Sequence, residues 1–142
     1  LNKGIKSSLS QYIVRLDGDD YVNRQFLEIL LLFTNSSQKY QAFACDYLLV
    51  NEEEQIISYE DCFESPIGCG IIFKTSHLYE LGLYDETFHL NEEKDLRNRF
   101  MKKYNIGHIQ MPLYRYRKHL NNMTNDISSM KIYNEKLSKK FK

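Results

Sequence analysis

Apolar and polar positions along the chain alternate between short strand-like runs and helix-like stripes. Residues 12–16 form a β-branched and aromatic run that stops at the acidic segment 17–20, DGDD. This pattern predicts a strand that ends in an acidic loop. Residues 24–33 are densely apolar and contain no Gly or Pro, which predicts a well-buried helix with Asp20 or Asn23 as its N-cap.

The elements predicted beyond residue 33 also alternate in type. Strands at 42–50 and 55–59 flank an acidic turn and predict a hairpin. An amphipathic helix is predicted over 92–104, with acidic residues in its first turn and lysines in its last. This alternation predicts an α/β fold, in which ligands bind at the carboxyl ends of strands. The other predicted elements are a strand at 71–73, a helix from about 76 to Gly82, strands at 106–111 and 113–117, and a weak helix or disordered tail from 127.

Composition and charge narrow the class of protein. The chain has 142 residues, of which 42% are hydrophobic and 27% charged, as expected for one globular domain. Lys plus Arg and Asp plus Glu both total 19, so no net charge attracts nucleic acid. Residues 131–142 carry five lysines and one glutamate, and this basic tail is either a frayed terminus or a peripheral contact with an anionic membrane.

Cysteine usage indicates a reducing compartment. The three cysteines form no CxxC pair, which argues against a disulfide framework or a zinc knuckle and favours a cytoplasmic protein. Cys69 lies between Gly68 and Gly70, where a small buried residue is more expected than a nucleophile. The longest apolar stretch, 26–33, is far shorter than the roughly 20 residues that span a bilayer.

Three groups of polar residues are candidates for chemistry. Asp17, Asp19 and Asp20 favour either a hard divalent cation or a solvated turn, and the spacing excludes an EF-hand. Glu92, Glu93 and Asp95 either supply a general base or only complement the helix dipole. His119 follows the basic, aromatic segment 114–118, which fits either phosphate binding or a charged strand edge.

Taken in order, these motifs resemble the inverting family 2 glycosyltransferases of the GT-A fold over residues 2–124. Each motif alone is common, but the order is specific. The segments that carry the resemblance are QYIVRLDGDDYV at 11–22, GIIF at 70–73, LGLYDETF at 81–88, EEKDLRNR at 92–99, PLYRYR at 112–117, His119, and NMT at 122–124.

The resemblance implies a metal-assisted transfer of a sugar from a nucleotide-sugar donor. Asp17 and Asp19 would hold Mn²⁺ or Mg²⁺ against the donor diphosphate, with His119 as a further ligand. Glu93 would take the proton of the acceptor hydroxyl, unless Asp95 does so instead, because the family usually has Asp where this chain has Glu93. The substrate-binding residues implied by the resemblance are Asp20, Gly70, Glu92 and Arg117.

The resemblance also implies a mixed α/β sheet of the GT-A type, flanked by helices. The family's amino-terminal βαβ unit, which binds the nucleotide, would precede Asn2 and is lacking here. Residues 1–125 are therefore expected to form a partial glycosyltransferase domain, with 126–142 as the basic tail. An open sheet edge would favour a homodimer.

Two rival functions stay open at this point. A degenerate, noncatalytic domain would bind a glycan or a partner enzyme without metal. A metal-dependent phosphoryl-transfer enzyme would also place aspartates after a strand, although its DxDGT order differs from the DGDD found here. The acceptor implied by the resemblance is a glycan or a lipid-linked sugar, and the location is cytoplasmic, with or without membrane association.

Overall fold

The computed structural model describes residues 1–119 and 127–141. They form a mixed sheet with helices packed on both faces. The predicted α/β fold is confirmed. The helices are α1 Asn2–Ser7, α2 Phe26–Ser36, α3 Thr75–Glu80, α4 Glu92–Met101 and α5 Ile127–Lys140, and the strands are β1 Tyr12–Val14, β2 Tyr21–Val22, β3 Ala42–Val50, β4 Ile56–Glu60, β5 Ile71–Lys74 and β6 Ile106–Arg117.

Strand β3 is the centre of the sheet. The strand order is β1-β5-β3-β6-β2, and β4 pairs with the second half of β3. Strands β3 and β6 run parallel, whereas the other pairs are antiparallel. Because side chains alternate between the two faces of a strand and both faces are covered, eight of the nine residues of β3 are buried.

The two faces of the sheet have separate apolar cores. Ala42 and Ala44 of β3 face a core that includes Leu96 and Phe100 of α4. Phe43 of β3 faces the opposite core, which includes Phe26 and Leu30 of α2 together with Tyr47, Ile109 and Tyr114. The sheet is thus held between α2 on one side and α4 on the other, and α4 brings its acidic first turn to the end of the sheet.

The structure corrects the prediction that the helix after the acidic loop is well buried. In α2 only Phe26 and Leu30 are buried, whereas Leu27 and Leu32 are 56% and 65% exposed. A helix against one sheet buries one stripe, and apolar residues outside that stripe stay exposed. The helix begins later than the predicted caps imply, with Gln25 as the N-cap and no side-chain cap hydrogen bond from it, but Asn23 Oδ1 accepts a 2.9 Å hydrogen bond from the backbone N–H of Gln25.

Strand β6 is continuous where two strands were predicted. Its pairing with β3 shifts between Cys45 and Tyr47, so that Pro112 lies opposite Asp46. Because proline lacks an N–H group, it is tolerated inside a sheet at a bulge. The irregularity at Pro112 therefore redirects the strand without ending it.

Helix α5 makes polar contacts with the rest of the domain. Lys136 Nζ donates a 2.6 Å hydrogen bond to the carbonyl oxygen of Thr87. Lys140 Nζ lies 2.7 Å from Asp85 Oδ2 and 2.6 Å from Asp95 Oδ1. Two lysines of the basic tail thus bind the domain itself. Within residues 1–119 and 127–141, no helix combines the length and the apolar character needed to cross a membrane.

Packing around Gly107 gives a test of the fold. A Cβ added at Gly107 would lie 2.3 Å from Cε1 of the buried Phe43 ring, so Gly107→Ala must displace that ring. We expect the free energy of unfolding in urea to fall by about 1–3 kcal/mol. Gly4→Ala is the control, since a Cβ on Gly4 has nothing within 4 Å and alanine favours helix α1. Equal stability of the two variants would contradict this packing.

Candidate active site

Most of the polar residues singled out in the sequence line one cleft of about 440 Å³. The loop between β1 and β2 forms one wall, and the start of α4 forms the other. The segment before β5 and Met130 of α5 complete it. The cleft residues with chemical potential are Asp17, Asp19, Asp20, Glu92, Glu93 and His119.

Arg15 joins the loop to the helix. Its Nε donates a 2.7 Å hydrogen bond to Asp17 Oδ1, and its Nη1 donates a 2.8 Å bond to Glu92 Oε1. Burial opposes the charge of the guanidinium, but the contacts with Asp17 and Glu92 outweigh it and raise the pKa of Arg15. One cation therefore holds carboxylates from the two sides of the cleft.

Asp19 and His119 form a second contact across the cleft mouth. The ring Nε2 of His119 lies 2.8 Å from Asp19 Oδ2. This hydrogen bond is the main reason that the pKa of Asp19 is lowered. The carboxylate of Asp19 is thus ionised at neutral pH and lies beside an imidazole that can share a metal or phosphate.

Asp20 is held inside the loop by β6. Its Oδ2 accepts a 2.6 Å hydrogen bond from the hydroxyl of Tyr114, and its Oδ1 accepts a 2.8 Å bond from the backbone N–H of Arg117. Burial raises the pKa of Asp20, although both hydrogen bonds oppose the shift. The Arg117 guanidinium donates to the carbonyl oxygen of Asp19 at 2.9 Å. These contacts fix the loop on β6.

Glu93 lies on the α4 wall of the cleft, next to Gly68. It is half-buried, and burial raises its pKa, with the charge of Glu92 acting in the same direction. A Cβ on Gly68 would lie 2.9 Å from both Arg15 Nη1 and Glu93 Cβ. Only glycine lets the backbone pass this close to both side chains. A carboxylate with a raised pKa is suited to accept a proton.

Asp95 and Gly70 lie apart from these groups. The side chain of Asp95 is fully buried, its Oδ2 accepts a 2.8 Å hydrogen bond from Arg99 Nε, and Lys140 contacts its other oxygen. Gly70 has a φ of 70° and accepts a hydrogen bond from Cys45 N. A Cβ there would lie 3.3 Å from Cys45 Sγ, inside the sheet. Asp95 and Gly70 therefore contact other parts of the protein and do not line the cleft.

Oxygen ligands for a metal are present, but they are arranged differently from the predicted set. Ligand atoms of Asp17, Asp20 and Cys69 lie within 4.8 Å of one another. In the described residues Asp19 and His119 do not join that group. Carboxylate oxygens suit Mn²⁺ or Mg²⁺, so the loop fits such an ion provided that Asp17 exchanges its contact with Arg15 for the metal.

Sequence reasoning missed three residues that organise the site. The sequence indicates Arg15 and Tyr114 only as parts of motifs, and Gly68 only as a neighbour of Cys69. Their roles depend on contacts across 77 residues for Arg15 with Glu92 and 94 residues for Tyr114 with Asp20. An arginine in an otherwise apolar strand next to aspartates was the one available signal. The predicted motif at 122–124 lies outside the described residues.

Comparisons with known proteins bear on the fold. The chain is similar to the crystal structure of S. aureus TarS 1–349, a glycosyltransferase, with a TM-score of 0.63 and 14% sequence identity. The match covers 82% of this chain and 38% of the TarS chain. No family model matches the chain, and no curated protein sequence matches it either.

The fold is glycosyltransferase-like. This confirms the predicted mixed α/β architecture and is consistent with a partial domain. The narrower assignment to family 2 stays a prediction, since the likeness extends to the fold and not to that family.

The raised pKa of Glu93 predicts an unusual effect on stability. Because the folded state favours the protonated carboxyl, stability falls as pH rises above the ordinary value of 4.5. Glu93→Gln removes this penalty, so the variant should unfold at a higher temperature than the parent at pH 7 and at a similar one below pH 4.5. Glu92→Gln is the control: its amide oxygen can still accept from Arg15, and loss of the carboxylate charge of this ion pair should cost roughly 1–2 kcal/mol at pH 7. A Glu93→Gln variant destabilised at pH 7 would contradict this assignment.

Tyr114 should fix the acidic loop through its hydroxyl. Tyr114→Phe removes the bond to Asp20 and leaves the backbone N–H of Asp17 without its 3.3 Å acceptor. We expect a loss of roughly 1–3 kcal/mol in urea unfolding and large shifts of the NMR amide signals of residues 17–20. Tyr47→Phe loses a 2.8 Å bond to Ser65 and serves as control, since the loop signals should stay in place. Unchanged loop signals in Tyr114→Phe would count against this role.

Proposed function

We propose that this chain carries the metal-binding and base-supplying side of a glycosyltransferase. The protein of which it forms the catalytic part would transfer a sugar from a nucleotide donor to an acceptor hydroxyl with inversion at the anomeric carbon. The observation that carries the proposal is the cleft itself. Within a glycosyltransferase-like fold, it sets the acidic loop 17–20 against the acidic start of α4.

The loop 17–20 supplies the carboxylates that would bind the leaving diphosphate through a divalent cation. Asp17 and Asp19 would hold Mn²⁺ or Mg²⁺ once the Asp19 carboxylate turns toward Asp17, which in this structure lies instead with Asp20 and Cys69. His119, 2.8 Å from Asp19, would complete the ligand set or contact phosphate. When bound, the ion neutralises the negative charge that develops on the departing diphosphate. Arg15 then stays paired with Glu92 while Asp17 turns to the ion.

The opposite wall supplies the base. Glu93 lies beside the backbone of Gly68, half-buried and with a raised pKa, which matches the needs of a group that accepts the hydroxyl proton. Because Asp95 is enclosed by Arg99 and Lys140, the geometry favours Glu93 over Asp95 as the base. Glu92 positions Arg15, and Asp20 positions the loop.

The proposed partners follow from the same chemistry. The donor is a nucleoside diphosphate sugar, and the acceptor is a glycan or a lipid-linked sugar presented in the cytoplasm or at its membrane surface. This chain spans 38% of the TarS chain that it matches. Donor identity would therefore depend on residues that the match does not include.

The test is a thermal-shift panel on the 142-residue chain. Mn²⁺ is combined in turn with UDP, GDP, CMP and dTDP, each also measured alone. We expect a nucleoside diphosphate with Mn²⁺ to raise the melting temperature, because the loop contacts the diphosphate through the metal, and a ligand at 100 times its Kd stabilises by about 2.7 kcal/mol. Asp19→Asn should remove that shift. Glu28→Gln, which deletes an exposed charge on α2, should keep it.

The outcomes separate the proposal from its rival. A shift that needs metal and nucleotide together and is lost in Asp19→Asn supports glycosyl transfer. Glycan binding that persists in EDTA, with no response to any nucleotide, would support the noncatalytic binding domain instead. An equal shift in the parent and in Asp19→Asn would overturn the role of the loop.

A further inference from the structure

A second group of ligand-bearing side chains lies outside the cleft, where the chain leaves β4. One ligand atom from each of four residues lies within 4.8 Å of the other three. Two members are buried and two are half-buried, so the group is partly enclosed by protein and open on the side of Asp61. The four residues are Asp46 of β3, Asp61 and Cys62 after β4, and His108 of β6.

Hydrogen bonds from outside the group orient the two carboxylates. Asp46 Oδ2 accepts a hydrogen bond from the hydroxyl of Tyr59. Asp61 Oδ1 accepts a 2.7 Å bond from the backbone N–H of Phe63, which leaves Oδ2 facing His108. Metal ligands in proteins are typically held by such surrounding hydrogen bonds.

The remaining two donors are also fixed in place. The imidazole of His108 stacks on the ring of Phe63, with the ring centres 4.8 Å apart. The backbone N–H of Cys62 donates a 3.0 Å hydrogen bond to Asp46 Oδ1, which anchors the cysteine next to the carboxylate. The ligand side chains would therefore lose little conformational freedom when an ion binds.

The distances fit a tetrahedral ion. Two nitrogen or oxygen ligands that each lie 2.0–2.1 Å from zinc are roughly 3.3 Å apart. His108 Nε2 is 2.7 Å from Asp46 Oδ1 and 3.9 Å from Asp61 Oδ2. The two observed distances lie on either side of the required one, so shifts of about half an ångström would admit the ion.

The donor types select the metal. A thiolate, an imidazole and two carboxylates match the mixed sulfur, nitrogen and oxygen ligands that zinc accepts, whereas Mg²⁺ and Ca²⁺ require oxygen. We propose that these four side chains form a structural zinc site that is independent of the cleft. On binding, the cysteine thiol releases its proton to solvent, and the imidazole of His108 binds as the neutral ring with its proton on Nδ1, so that Cys62 Sγ and His108 Nε2 coordinate the ion.

The site would stabilise one wall of the cleft. Asp61 and Cys62 begin the segment that leads to Pro66, Ile67 and Gly68, which line the cleft. Zinc would attach the start of this segment to β3 and β6. The wall beside Glu93 would then be held at both ends, by the metal before it and by β5 after it.

The test uses cobalt as a spectroscopic probe of the intact chain. After removal of metals with a chelator, Co²⁺ is added, and absorption is recorded in the near ultraviolet and visible. We expect intense bands typical of tetrahedral Co²⁺ bound to thiolate. These bands should saturate with one equivalent of Co²⁺ and be displaced by one equivalent of Zn²⁺, whereas a further ion held by carboxylates in the cleft should add no thiolate band. Cys62→Ser should abolish the thiolate band, and His108→Asn should weaken zinc binding at least about 100-fold.

Cys69→Ser is the matched control, because Cys69 is also buried and lies in the other ligand group, next to Asp17 and Asp20. Its spectrum should equal that of the parent, and circular dichroism shows which variants are folded. Absence of the thiolate band in the folded parent would overturn the proposal. So would a band that is lost in Cys69→Ser and kept in Cys62→Ser. Neither result depends on the proposed sugar transfer.

Discussion

Mutual repulsion of carboxylates is the constraint around which the cleft is built. The loop 17–20 and the start of α4 are both acidic, and at 4 Å two like charges near a protein surface repel by about 4 kcal/mol. Arg15 offsets this repulsion by bonding to Asp17 and Glu92 together. Gly68 makes room for the guanidinium, since any larger residue would contact it. A bound divalent cation would act in the same direction, and the arginine keeps the two walls together without it.

Strand β6 brings the other half of the site to the acidic loop. Beyond the bulge at Pro112 it carries Tyr114 and Arg117, which bind Asp20, and it ends just before His119, which binds Asp19. The parallel pairing of β6 with β3 therefore holds the centre of the sheet together and also places these side chains against the acidic loop. The same two strands supply Asp46 and His108 to the second ligand group.

Local signals in the sequence predicted most of the elements. The strand before the acidic loop, the β3–β4 hairpin and helix α4 follow from patterns within 10 to 20 residues, and the structure has all three. The exposure of Leu27 and Leu32 did not follow, because it depends on which side of α2 meets the sheet. Nor did the enclosure of Asp95, which depends on Lys140 of α5, 45 residues further along the chain. The contact of Arg15 with Glu92 could not be predicted from local patterns either, because the two residues are 77 positions apart in the chain.

The most direct test of the central claim, that the two acidic segments form one metal and substrate site, is paramagnetic broadening of NMR amide signals by Mn²⁺. The titration uses substoichiometric Mn²⁺ with the nucleotide that gives a thermal shift. The account predicts simultaneous broadening at residues 17–20, 92–93 and 119, because all line one cleft. Broadening confined to residues around Asp46 and His108, or spread evenly over exposed acidic residues, would contradict it.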